Sequence, residues 1–317
     1  MKSLIKIGLI ISGILAVFSF VMSVSLVNDL LRKVPLDKNA EALKYHFALY
    51  LPSNQTYFFA GISDGAMKAA RENNAALTVH PIDVEGIELR MASYIGVNGI
   101  VVCPNLDDAV TLKKLEKLRD DSIPLVLVNH NIPADQPWPF IGTNNFDFGK
   151  KAGALVNQGG VSEIHLAVVY SEKNPAIYAE RELVEMGISG VLGSKLGAPI
   201  SSQKTDMNPR DAEKIVYQLV RTMPRLTTIV FTDSNDTLAG TQALIDLNLV
   251  GRVQIIGFGA DDQIKEYIQK GIISASLVVN PELIGYQAIK SLIELCNSGY
   301  TSTSVDTGID IMTREKK

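Results

Sequence analysis

The chain has 317 residues, 46% of them hydrophobic and 20% charged, with a formal net charge of −4. That length exceeds what a single core usually supports and argues for two domains, while the globular, slightly acidic composition excludes a disordered chain and argues against nucleic acid as a partner. There is no basic stripe or zinc-finger spacing, and Cys103 and Cys296 lie in apolar stretches, so they read as buried thiols and not as a disulfide.

Lys2 and Lys6 precede an uncharged, proline-free stretch from Ile7 to Asn28. A signal-peptide core usually runs ~7–15 residues, whereas a bilayer span takes ~20. No cysteine follows the apolar run as a lipoprotein site, and Ser23-Val24-Ser25 is a poor cleavage sequence. Residues 1–30 therefore read as an uncleaved membrane anchor in preference to a cleaved signal. The N-terminal lysines would stay in the cytoplasm and the rest outside, although Arg32 and Lys33 reduce the charge asymmetry. Residues 31–44, polar and interrupted by Pro35, read as a linker.

From Tyr45 onward, strand-length apolar runs alternate with longer helical patterns. The runs are Phe47–Leu51, Leu77–Ile82, Ile100–Cys103, Leu125–Val128, Ile164–Tyr170, Thr228–Phe231 and Val253–Phe258. Several are apolar throughout, as parallel strands covered on both faces must be. Between them, Phe59, Ile62, Ala66 and Ala69 recur at helical spacing, as do Ile215, Leu219 and Met223. This alternation predicts an α/β fold of doubly wound parallel sheets, which bind ligands beyond the carboxyl ends of their strands.

The residues at those ends are mostly uncharged hydrogen-bonding groups: Ser53-Asn54-Gln55-Thr56, Pro104-Asn105, Asn129-His130, Thr143-Asn144-Asn145, Ser171-Glu172, Thr232-Asp233-Ser234 and Gly259-Ala260-Asp261. Amides and hydroxyls both donate and accept, which suits a polyol. Tyr57, Phe58 and Phe59 add flat apolar surface for the C–H face of a sugar ring. Each polar residue also reads as a turn or helix cap, and it is their grouping with the aromatics that points to a site.

In order and spacing, these landmarks resemble the type I periplasmic binding proteins, the group of ribose-binding and lactose-repressor-like proteins. The resemblance runs from about Tyr45 to Gly308. It is carried by Tyr57-Phe58-Phe59 before Gly61-Ile62-Ser63-Asp64-Gly65-Ala66, by Ile123-Pro124 before Leu125–Asn129, by Ile256-Gly257-Phe258-Gly259 and by Asn280-Pro281-Glu282-Leu283-Ile284-Gly285. It implies two doubly wound lobes joined by a three-segment hinge, with crossings near Gly142, near Val278 and after Asn297. The first lobe would be residues 45–142 plus 279–297, the second 143–278 plus 298–310, and 311–317 a tail.

The resemblance further implies that Phe58 and Phe59 sandwich a sugar ring, that Asn129 and His130 grip hydroxyls, and that Arg181, Asp233 and Ser234 contact the solute from the second lobe. Together with Asn54, Tyr57, Asn105 and Asp261 these form the expected site. Two positions depart from the family pattern. Gly259 stands where the family carries an Asp, and Val279 where it carries a hinge Gln, so the pocket is tuned to a solute other than ribose; Asp261 is the carboxylate nearest in sequence to the missing one.

The expected function is extracytoplasmic binding of a monosaccharide or polyol by lobe closure, for an ABC-type permease. The alternative is a membrane-anchored sensor signalling to a two-component kinase. An enzyme is a lesser reading, since the sequence has no phosphate loop or His-Glu-x-x-His helix, and its Gly-x-Ser-x-Gly spacing at Gly61–Gly65 falls inside a helical stripe and not at a strand-to-helix elbow. His46, His80 and His165 fall at strand positions and read as structural, and neither cofactor nor metal is expected.

Overall fold

A computed structural model of the chain describes residues 13, 15–25, 43–53, 57–82, 86–105, 108–132, 134–171, 181–205 and 209–314. Residues 15–25 are helical with exposed apolar side chains, among them Phe18, Phe20 and Met22. Among the described residues no helix is long and apolar enough to cross a membrane. The remainder of the expected anchor lies outside them.

Residues from Leu43 onward form one unit holding two six-stranded sheets. The first is built from β1 (Tyr45–Pro52), β2 (Ala75–Ile82), β3 (Gly99–Val102), β4 (Leu125–Val128), β5 (Phe140–Gly142) and β11 (Ser304–Asp306), in the order β11-β5-β4-β3-β1-β2. The second comprises β6 (Leu166–Ser171), β7 (Ser201–Thr205), β8 (Thr228–Phe231), β9 (Gln254–Phe258), β10 (Ala275–Val278) and β12 (Asp310–Thr313), in the order β12-β10-β9-β8-β6-β7. Within each lobe the first five strands run 2-1-3-4-5, one of the two common doubly wound orders. Every described strand pairing is parallel except that of β10 with β12.

The continuous apolar runs have the expected cause. Along β1, Phe47 and Leu49 enter one core layer with α1 (Tyr57–Glu72) and α9 (Pro281–Ser298), while Ala48 and Tyr50 enter the opposite layer with α3 (Asp108–Asp120). The second lobe repeats this arrangement. Val168 and Tyr170 face α4 (Asn145–Gln158) and α5 (Arg181–Leu192), whereas Ala167 and Val169 face α6 (Pro209–Thr222), α7 (Ser234–Asp246) and α8 (Asp262–Gln269). The short α2 (Ile87–Met91) follows β2. The stripe Phe59, Ile62, Ala66 and Ala69 is buried, as its spacing predicts.

Two helix pairs pack closely enough to exclude side chains. A Cβ at Gly65 of α1 would lie 1.9 Å from the Glu282 carbonyl oxygen of α9, and one at Gly285 would lie 1.9 Å from that of Ile62. In the second lobe, Gly149 of α4 and Gly187 of α5 would meet the carbonyl oxygens of Val184 and Phe146 at 2.2 and 2.3 Å. In each lobe, then, the helix that enters from the other lobe is locked against the helix following the lobe's first strand. Both entering helices begin at an Asn cap: Asn144 accepts from the Phe146 and Asp147 amides, and Asn280 from the Leu283 amide.

The chain passes between sheets at 142–145, 278–281 and 306–310. Residues 298–310 and 311–317, expected as second lobe and tail, divide differently. Ser304–Asp306 pairs with β5 in the first sheet, and Asp310–Thr313 is an antiparallel edge of the second. The last passage therefore comes later than Asn297, because α9 continues to Ser298 and its chain must still return to β5. Five strands lie outside the anticipated apolar runs: β5, β7, β10, β11 and β12.

Candidate functional site

The turn after β4 is shaped by a left-handed residue. Asn129 has φ 65, a conformation Asn tolerates better than most non-glycine residues. Its amide donates to the Ile141 carbonyl at 2.9 Å, and the His130 amide folds back to Val128 at 2.8 Å. Asn129, His130 and Asn131 are thereby presented beyond the carboxyl end of the sheet. They line a cleft of about 240 Å³ together with Phe140, Gly142 and the first passage, Thr143-Asn144-Asn145. Ser304 and Asp306 of β11 close one side, and Leu183 of α5 reaches it from the second lobe. The Phe140 ring lies across Gly142, where a Cβ would come within 2.5 Å of the ring.

The second lobe gathers its candidates around Gly259. That glycine has φ 94, and a Cβ on it would lie 2.8 Å from the Ser234 Cβ and 3.2 Å from an Asp261 carboxylate oxygen. No aspartate side chain fits there without displacing Ser234, which gives the departure at this position a steric reason. Asp233 is buried, with Oδ1 accepting from the Asn235 amide at 2.8 Å and the Asp236 amide at 3.1 Å. It is the N-cap of α7. Asp261 stands at the N-cap position of α8 with no side-chain bond to the helix.

Residues 47–300 match the family described as periplasmic binding protein domain. The chain belongs to the periplasmic binding protein family. No curated protein matches it. Among solved structures it is similar to GanP, a glucose-galactose binding protein from Geobacillus stearothermophilus, at 21% identity and TM-score 0.76, covering 86% of this chain and 98% of that one. A sugar-binding protein of a sugar ABC transporter from Bacillus halodurans aligns at 22% identity and TM-score 0.73, covering 85% and 97%. An ABC transporter solute-binding protein from Agrobacterium vitis, bound with alpha-D-tagatopyranose, aligns at 18% identity and TM-score 0.75, covering 86% and 95%. At these identities the likeness establishes the two-lobed type I fold.

In this binding protein the expected site residues separate into groups. Asn129 and His130 line the cleft, and Ser234 and Asp261 meet at Gly259. Asn105 donates to the Ile82 carbonyl at 3.2 Å while its own amide oxygen is buried without a partner. Tyr57 is exposed at the start of α1. Phe58 is half-buried and meets Phe59 edge-to-face, with centroids 5.9 Å apart. Asn54 lies outside the described residues.

Two expected residues stand apart from the cleft lining. Phe59 is 3% exposed and belongs to the first-lobe core, because it opens the apolar stripe of α1. Arg181 turns toward its own helix, its Nε 2.9 Å from Glu185 Oε1 one turn on, with most of its side chain in solvent. Cleft residues not anticipated as site members are Asn131, Phe140, Leu183, Ser304 and Asp306. Phe140 and Asn131 bracket the end of β4 and could have been found by proximity; Ser304 and Asp306 carry no local signal.

The polar groups beneath the second-lobe rim are strongly perturbed. Burial pushes the Asp236 carboxyl up to about 7, against a bond from Thr205 Oγ1 and with Asp233 and Asp211 adding to the rise. Burial also raises the Tyr170 hydroxyl, beside Glu185. Burial favours a higher value for Asp147 too, but bonds from Lys151 and Lys150 hold it below the ordinary carboxylate range. Among the described residues no His, Cys, Asp and Glu cluster is arranged to hold a metal ion. Cys103 and Cys296 are free thiols.

Proposed function

We propose that the protein binds a monosaccharide or related polyol between its lobes. The observation that carries this reading is the cleft itself: Asn129, Asn131, Thr143 and Asn145 offer neutral donors and acceptors beside the flat Phe140 ring. Such a wall matches a solute with hydroxyls along its edge and C–H bonds on its face. The structural relatives named for glucose-galactose binding, or holding alpha-D-tagatopyranose, support the same solute class. Asn105 and the Ser234–Asp261 pair belong to the opposing walls in this proposal, and Tyr57 and Phe58 to the cleft mouth.

Closure follows from the three short passages. Each lobe is braced by its glycine-locked helix pair, so relative motion concentrates at 142–145, 278–281 and 306–310. A solute that contacts both lobes only when they are closed shifts the population toward closure by its differential affinity. We place the protein outside the cytoplasm, tethered by its N-terminal segment, in support of which residues 15–25 form a helix with exposed apolar side chains. There it hands its solute to an ABC permease. The same tether favours, as the second reading, a sensor whose closure is felt by a membrane kinase.

The test is a thermal-shift screen of the full chain in detergent against neutral sugars, polyols, amino acids and nucleosides. Sugars or polyols raise the melting temperature under this reading. A response to amino acids or nucleosides alone would refute it.

A further inference from the structure

Side chains along a strand alternate between faces, and directly paired residues of parallel strands share a face. In β11, Ser304 pairs with Phe140 and Asp306 with Gly142, while Val305 between them pairs with Ile141. Ile141 and Val305 go to the apolar cluster under the first sheet. Ser304 and Asp306 are therefore delivered to the face that carries the Phe140 ring, and both line the cleft. Asp306 is the one carboxylate among the described residues lining it.

The backbone orients this carboxylate. The Gly308 amide donates to Asp306 Oδ1 at 2.9 Å, in a turn that Gly308 closes with φ 74. The adjoining passage is fixed as well, since the Thr307 amide donates to the Gly142 carbonyl at 2.9 Å. An ionised carboxylate offers about four lone-pair sites, and Gly308 occupies one. A preorganised acceptor loses less freedom when it engages a ligand than a mobile one does. In the second lobe, φ 94 and the nearby Ser234 leave no room for an acid at Gly259 itself, where the Asp261 carboxylate comes near instead.

We propose that Asp306 is the anchoring acceptor of the site, receiving hydroxyl protons of a sugar or polyol seated against Phe140 and Asn129. It supplies from the hinge the negative charge that Gly259 cannot carry. The inference rests on the solute-binding reading above and narrows it. The preferred solutes are neutral or amino sugars with hydroxyls on adjacent carbons, and sugar acids are disfavoured by charge repulsion. Because Asp306 begins the third passage, its bond to the solute forms where the lobes pivot.

The experiment uses the full chain in detergent, with D-glucose, D-galactose, D-arabinose, D-allose, D-glucosamine and D-glucuronate as probes. Calorimetry on the wild type is compared with Asp306→Asn and with Asp310→Asn, the latter an exposed residue on β12 outside the cleft lining. An amide oxygen still accepts from Gly308, so Asp306→Asn keeps the unliganded melting temperature. The expected result is an affinity loss of at least about tenfold for the best neutral or amino sugar, the order of one charge-assisted hydrogen bond, with Asp310→Asn unchanged and D-glucuronate the weakest probe. Sugar binding within twofold of wild type in Asp306→Asn, or a preference for D-glucuronate, overturns this inference and leaves the solute-binding reading standing. A wild type that binds none of the six overturns this inference, and one that also answers no sugar or polyol in the thermal-shift screen sinks the solute-binding reading.

Discussion

The Lys151 ammonium donates to the Ile309 carbonyl oxygen at 2.8 Å, joining the helix that enters the second lobe to the last passage between lobes. The same ammonium lies 3.1 Å from Asp147 one turn back. A single side chain thus holds α4, the third passage and the helix's first turn in one arrangement. Lys151→Met keeps much of the aliphatic stem and deletes both polar contacts. A loss of about 1–2 kcal/mol of unfolding free energy is expected from a charged bond at a partly exposed site. Urea denaturation reads it, and an unchanged midpoint would show that the contact carries no stability.

The glycine-locked helix pairs make a paired prediction. Gly285→Ala places a methyl 1.9 Å from the Ile62 carbonyl, so α1 and α9 must separate, at a cost on the order of 3 kcal/mol or more. Gly190 lies in α5 with nothing within 4 Å of its missing Cβ. Gly190→Ala there gains about 0.5–1 kcal/mol from helix propensity. Opposite shifts in melting temperature are expected, and shifts of the same sign would contradict the packing account.

How much of this was legible in the sequence depends on what fixes each element. β1, β3, β4, β8 and β9 are buried on both faces, so their apolar composition reports them directly. β7, Ser201–Thr205, is an edge with a single neighbouring strand and polar residues, and β12 is an exposed edge; neither needs an apolar run. β11 owes its place to pairing with β5 far earlier in the chain, a relation that local pattern does not encode. The site divides in the same way. Asn129 and His130 were legible because they follow an unmistakable buried strand, whereas Ser304 and Asp306 were invisible for the reason β11 was. Phe59 was readable two ways, as a ring for the solute or as the head of an apolar stripe, and the helical period decided for the core. Asp233, expected against the solute, also caps α7 through Oδ1.

Asp236 predicts a pH dependence with a definite sign. Its folded value, raised by burial from 3.8 to about 7, means that the folded state binds the proton more tightly than the unfolded chain. Its stabilising contribution is therefore complete below about pH 3.8, erodes between there and about pH 7, and is absent above that. Asp236→Asn keeps an oxygen for the Thr205 hydroxyl and cannot ionise. Relative to wild type it gains on the order of 2–4 kcal/mol as pH rises from 4 to 8, trimmed by the favourable field at the start of α7. Parallel stability curves for the two proteins across that range would disprove the raised value.

Phe58 and Phe59 are neighbours of unequal burial, and substitution separates them. Phe59 is 3% exposed in the first-lobe core, so Phe59→Ala leaves a cavity costing about 3–5 kcal/mol. Phe58 is half-buried at the start of α1, against the edge of the Phe59 ring. Its removal leaves most of the core filled and costs about 1–2 kcal/mol of stability. If Phe58 also stacks on the solute, Phe58→Ala weakens binding by a further 0.5–1.5 kcal/mol, roughly two- to tenfold in affinity. Calorimetry on the folded fraction of each variant separates the two effects: a Phe58→Ala protein with wild-type affinity would remove that ring from the cleft mouth and leave Phe140 as its aromatic wall.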